Sequence, residues 1–221
     1  MKRWGPERLA AYSGILFVGL FVLGFLVGGN PPDLTASKER WTLWFAANHR
    51  RELAAAILIG VALVAFVWFL GSVWAALRGA GETRLAAVAL GSGLAAVGLG
   101  YVWVAVWASA YRVGIDQQSL LKGMVDFGDT AATVIGFPLA GLVAASAIAS
   151  RRAGFLPRWY GPAGGLAAVV LLFGGGALAQ NGFYRPDGPY AFFALIVFLV
   201  WTAVTSVLLG ARAPAAEPSA V

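Results

Sequence analysis

Residues 53–77 read LAAAILIGVALVAFVWFLGSVWAAL, a run of 25 positions without one ionisable side chain. A helix needs about 20 apolar residues to cross ~30 Å of hydrocarbon, so this run is long enough to span a bilayer. It shows no alternation of apolar and polar residues, which a strand of a membrane barrel requires. The run is bounded by Arg50-Arg51-Glu52 on one side and Arg78 on the other. Charges excluded from the middle and gathered at the ends are what the bilayer imposes, since an ionised side chain at its centre costs at least ~3 kcal/mol on insertion scales.

The same division recurs outward along the chain. Charge-free windows run from Leu9 to Pro32, Leu85 to Tyr111, Thr130 to Ser150, Trp159 to Tyr184 and Gly188 to Ala211. Hydrophobic residues make up 60% and charged residues 12% of the chain, far from the ~25% charged usual in soluble domains. The sequence therefore predicts an all-α polytopic membrane protein, a bundle of six transmembrane helices. Their spans fall near 9–29, 53–77, 85–111, 130–150, 160–180 and 189–210, in a single domain covering 1–212. Residues 213–221 read as a short, disordered cytoplasmic tail. The first window is too long for a signal-peptide core and lacks an Ala-x-Ala site, so it reads as a retained span. Cysteine is absent, which excludes disulfides, thiolate metal sites and cysteine nucleophiles.

With the N-terminus cytoplasmic, that side holds nine basic residues, namely Lys2, Arg3, Arg8, Arg78, Arg84, Arg151, Arg152, Arg158 and Arg212, against three acids. The opposite side holds seven of each sign, so the whole net charge of +6 falls on one face. The basic bias predicts cytoplasmic termini and an external 33–52 segment. It also accounts for the basic excess through insertion and anionic headgroups, without nucleic acid as a partner.

Within 33–52, Asp33 or Thr35 is a reasonable helix cap, and Trp41, Trp44 and Phe45 share one helical face. That pattern predicts a short amphipathic helix in the first extracytoplasmic loop, lying flat with its aromatic edge in the headgroups. It would serve either as a spacer or as a gate or docking helix. His49 is the only histidine, and beside Arg50 and Arg51 it makes a poor cation site, so no metal is expected.

Asp126 and Asp129, three residues apart, would share a face at the mouth of the fourth span, with Arg112 as an ion-pair partner. They read either as a cap and first-turn acid or as a functional carboxylate pair. No Asp, Glu, Lys, Arg or His lies deeper in a span, whereas ion-coupled carriers place such groups near the midplane. Gln180 and Asn181 sit near the outer end of the fifth span. Trp103 and Trp107 suit the outer aromatic belt, while Trp68 and Trp201 fall within the hydrocarbon and would either pack helices or line an apolar pocket. Small residues at four-residue spacing, Ser92-Ala96-Gly100, Gly136-Ala140-Ala144, Gly24-Gly28 and Gly161-Gly165, predict close helix contacts. Pro138 should kink the fourth span. The turns Arg78–Arg84 and Arg152–Arg158 have equal spacing and hint at two related hairpins.

Pro31-Pro32-Asp33 with an aromatic helix ending Asn48-His49-Arg50-Arg51, Asp126-Phe127-Gly128 ahead of Gly136-Phe137-Pro138-Leu139-Ala140, and Gly154-Phe155-Leu156-Pro157-Arg158-Trp159 together resemble the six-span bacterial membrane proteins of the DUF4386 type. The resemblance implies a bacterial plasma membrane and carries over no catalytic residue. No phosphate loop, nucleophile elbow, zinc-helix or dinucleotide motif occurs in a fitting context, so no cofactor is expected. The leading expectation is a non-catalytic module binding a lipophilic ligand or a membrane protein partner in the bilayer. A small-solute or ion transporter, and an enzyme using outer-face carboxylates, are the alternatives.

Overall fold

A computed structural model describes residues 6–212 except 111 and 114. The 213–221 tail and the N-terminal Lys2, Arg3 and Trp4 lie outside the described residues. Among the described residues the protein is built of helices alone: α1 (Pro6–Gly28), α2 (Lys38–Gly79), α3 (Thr83–Ala110), α4 (Gln118–Val134), α5 (Gly136–Ala153), α6 (Tyr160–Gly175) and α7 (Pro189–Arg212), with a 3-10 turn at Ile115–Gln117 before α4. Five helical segments are long and apolar enough to cross a membrane, counting α4 and α5 as one, and α6 is a shorter apolar helix.

Helix ends fall where the backbone demands them. Gly29 takes φ +84° directly after α1, a left-handed conformation that favours glycine, and Pro31-Pro32 prevent the helix from resuming. Ser37, rather than Asp33 or Thr35, caps α2, its hydroxyl accepting from the Arg40 N–H. At the other end of α2, Gly81 at φ +85° lets the Glu82 N–H return to the Leu77 carbonyl. Pro138 has no N–H for the Val134 carbonyl, and the break between α4 and α5 falls there, at Ile135. The run Gly174-Gly175-Gly176 stops α6 at Gly175, five residues short of the expected span.

The short surface helix expected in 33–52 is instead the start of α2, which runs unbroken for 42 residues. At ~1.5 Å per residue that is about 63 Å, twice the hydrocarbon thickness, so one end of α2 stands clear of any bilayer core. The aromatic edge faces protein, not headgroups. Trp41 and Phe45 are buried with Trp107, Leu121 and Val125 in a small core of their own. The reason is α4: residues 118–129, which lie between two of the expected spans, are helical and long enough to cover that edge.

α1, α2, α3, α5, α6 and α7 pack in chain order, each on the next, and α7 closes on α1, making a ring of six; α4 leans on α3 and α2 beyond it. In the half of the ring near Pro6 and Arg212 the centre is filled. Phe17 stacks at 4.7 Å from Phe66, Phe198 lies 5.6 Å from Phe66, and Trp201 lies 6.2 Å from Phe69. Of the expected small-residue contacts, Gly24 makes one, where a methyl group would come within 2.7 Å of Ile59, whereas one on Gly165 would have nothing within 4 Å; a methyl group on Gly14, outside those stripes, would come as close, 2.7 Å from Phe69. Buried Ser206 donates to the Ala11 carbonyl and fastens α7 to α1 in this half.

Candidate functional site

In the other half the ring does not fill. A cavity of about 460 Å³ lies between the helices, and each of α1 to α7 contributes to its wall. Its floor is the aromatic layer of Phe17, Phe66 and Phe198, and its middle is aliphatic, with Ile59, Leu63, Val97, Leu139 and Leu171. Small residues form much of its wall: Ala55, Ala56, Ala96, Gly100, Gly136 and Gly174. α1 and α7 are joined below, by Ser206 and by Phe17 against Phe198 at 6.1 Å. Higher up, Phe25 and Phe192 both line the cavity and are 45% and 56% exposed, so the cavity reaches the outer face of the bundle between α1 and α7.

The upper end has a different chemistry. Asp33, Glu52, Asp129 and Asp187 line it, with Trp41, Trp103 and Trp107, and no Lys or Arg lines it among the described residues. Two of the acids are held by the loops over the mouth. Arg185 donates to Asp33 at 2.9 Å and to Asp187 at 2.7 Å, and Asp187 also accepts from the Leu34 N–H at 3.0 Å. One guanidinium thus ties the α1–α2 loop to the α6–α7 loop. Trp41 donates its indole N–H to the Asp33 carbonyl at 3.2 Å. Trp103 and Trp107 turn their N–H groups toward the Asp129 carboxylate but complete no hydrogen bond of full geometry.

No family model, curated protein or solved structure matches this chain. The chemistry of the cavity therefore stands on its own residues.

Glu52 is the least expected of them. It is 7% exposed, faces the cavity beside Gly28 and Ala55, and among the described residues has no hydrogen bond or ion pair. Neighbouring Arg51 acts on it electrostatically but directs its Nε to the Val27 carbonyl at 3.1 Å, capping the end of α1.

The residues singled out in the sequence separate. Asp129 is in the cavity wall, but Asp126 is exposed and paired with Lys122 one turn earlier. Neither caps a helix, because α4 begins eight residues before Asp126. Arg112 is exposed in the turn before α4, and the ion pair of Asp126 is with Lys122. Trp41 is buried in the wall and Trp44 packs behind it. Trp103 and Trp107 face inward instead of forming a belt. Trp68 is 66% exposed on the outside of α2, Trp201 is buried below the floor, and neither lines the cavity. Gln180 and Asn181 are exposed beyond α6 and do not line it either. No group of three His, Cys, Asp or Glu able to hold a metal ion occurs among the described residues.

The sequence did carry a sign of Glu52. Trp41, Phe45, Glu52, Ala56, Ile59 and Leu63 follow one another at steps of three, four or seven, one continuous buried face of α2. Using charged residues as span boundaries cuts that face at Glu52 and hides its continuity.

Proposed function

We propose that the protein is a six-span membrane protein that binds a lipophilic small molecule in the cavity between its helices, without catalysing a reaction on it. The single observation behind this reading is the cavity itself. Its volume lies within the ~300–1,000 Å³ of small-molecule sites, and its wall is mostly apolar with a few polar groups at one end, as such sites are built. The exposed Phe25 and Phe192 at its side give a route for a ligand dissolved in the bilayer, with no passage through water. In this reading α6 and the apolar residues after it complete the sixth crossing, in a bacterial plasma membrane.

Filling the cavity tests the reading. Ala132, one turn after Asp129 and half-buried, lines the space. Ala132→Trp is expected to reduce saturable binding of a radiolabelled long-chain alcohol at least tenfold in lipid nanodiscs, while the melting temperature stays within a few degrees. Undiminished binding in a folded Ala132→Trp protein means that the ligand sits elsewhere.

The orientation follows from the basic residues and places the cavity mouth outside the cell. Because the chain has no cysteine, single cysteines report cleanly. Thr35→Cys is expected to react with an impermeant thiol reagent in intact cells, and Ala153→Cys only after lysis; both positions are exposed. The opposite pattern reverses the topology.

A further inference from the structure

We propose that the ligand of this cavity is a lipophilic cation of the alkylammonium class, its ammonium head held at the acidic upper end that Glu52 and Asp129 line, its apolar part directed to the aromatic floor. This rests on the lipophilic-ligand reading and deepens it.

Three observations converge. First, the upper wall carries four carboxylates and no cationic side chain among the described residues; of the arginines nearby, Arg185 is shared between Asp33 and Asp187, and Arg51 directs its Nε to the Val27 carbonyl. Glu52 and Asp129 are left with no cation bonded to them. Second, Glu52 is more than nine-tenths buried, turned into the cavity and without a hydrogen-bond or ion-pair partner among the described residues. A buried carboxylate that is unpaired is costly to keep, so a group that completes it binds with a large advantage. Third, three tryptophans line the same end. Aromatic walls combined with carboxylates recognise alkylated ammonium, whose charge is too diffuse for tight hydrogen bonding.

A bare metal ion would leave the apolar lower cavity unused, and an anionic or phosphate-bearing head would meet the carboxylates. A compact ammonium on a hydrocarbon body suits both halves. The head could belong to a free cation or to a phosphocholine lipid; the carboxylates favour the free cation, because the phosphate of the lipid sits beside its ammonium.

The experiment compares ligands of one chain length on the full-length protein in nanodiscs of an uncharged glycolipid, with empty nanodiscs as blank. The probes are radiolabelled dodecyltrimethylammonium, dodecylphosphocholine and dodecanol. Dodecyltrimethylammonium is expected to bind saturably, one per chain and at least tenfold more tightly than dodecanol. Glu52→Gln, nearly isosteric, is expected to reduce that preference at least fivefold, and Asp129→Asn to act in the same direction. Equal binding of the cation and dodecanol overturns the cation inference and leaves the lipophile reading standing. Absence of saturable binding by all three overturns both. If dodecylphosphocholine matches dodecyltrimethylammonium, a lipid headgroup supplies the ammonium and the free-cation source is overturned. If neither variant changes the preference in folded protein, the assignment of the head to these carboxylates is wrong.

Discussion

Trp107→Ala is expected to destabilise the protein by about 3–5 kcal/mol, the range for emptying a buried tryptophan site. The indole is the hub of the small core above the cavity. Trp41, Phe45, Trp44 and Trp103 have their ring centres 6.0, 5.6, 6.3 and 6.2 Å from it, and Gly128 of α4 lies flat against its Cδ1 edge, where a methyl group would touch at 3.5 Å. Removing it leaves α2, α3 and α4 facing a hole that none of them can close. This part of α2 extends beyond the length a bilayer core covers, so burial from water adds to packing here. The melting temperature in detergent should fall on the order of 10 °C, and ligand binding should fall with it because Trp107 also lines the cavity. Trp68→Ala, at a residue 66% exposed on the outside of α2, is the comparison and should shift melting by no more than a degree or two. Similar shifts for the two variants would mean that the aromatic core contributes little to stability.

How legible this protein was in its sequence depends on which property decides each element. α1, α3 and α7 were legible, because the bilayer's exclusion of charge marks their ends and little else acts on them. The first four turns of α2 were misplaced because charge exclusion ends where the bilayer ends, while the helix does not. Residues 38–52 turn Glu39, Arg40, Arg50 and Arg51 away from Trp41 and Phe45, and a single sequence does not tell whether that aromatic side meets headgroups or another helix. The answer lay 80 residues away in α4, whose Leu121 and Val125 cover it. α6 was overestimated because glycine counts as apolar in a hydropathy window, yet three in succession release the backbone from the helix.

The site was less legible than the fold. Asp129 was singled out, but with Asp126 as its partner, and spacing of three along a helix places two side chains on neighbouring lines, not in the same surroundings: one faces the cavity and one faces Lys122. Asp33 belongs to one loop and Arg185 and Asp187 to another, and nothing local joins positions about 150 residues apart. Trp68 and Trp201 were chosen by depth, and depth does not fix the rotation of a helix. What the sequence did contain was the supply of small residues. Ala96, Gly100 and Gly136 were visible as packing stripes, and the same lack of side-chain volume that brings helices together lower down leaves the cavity open higher up.

Gly136 separates those two roles, and its substitution should give the clearest sign change in the protein. It stands at the first position of α5, opposite Gly174 and Gly175 at the end of α6. A methyl group there would lie 2.7 Å from the Leu171 carbonyl oxygen and 2.7 Å from the Gly175 Cα, both backbone atoms with no rotamer to change. Gly175 is constrained reciprocally, since its own methyl would come within 2.8 Å of the Phe137 nitrogen. In a helix, Gly→Ala normally gains up to about 1 kcal/mol. At Gly136 the overpacking cost of ~1–3 kcal/mol outweighs that gain, so Gly136→Ala should destabilise the protein and push α5 away from α6. Gly165→Ala, in the middle of α6 with nothing within 4 Å of its added methyl, should stabilise it by the propensity term alone. Thermal melting of the two variants in the same detergent is expected to move in opposite directions. If Gly136→Ala melts at or above the parent temperature, α5 and α6 do not meet backbone to backbone, and the wall they form at this level of the cavity is not where it is described.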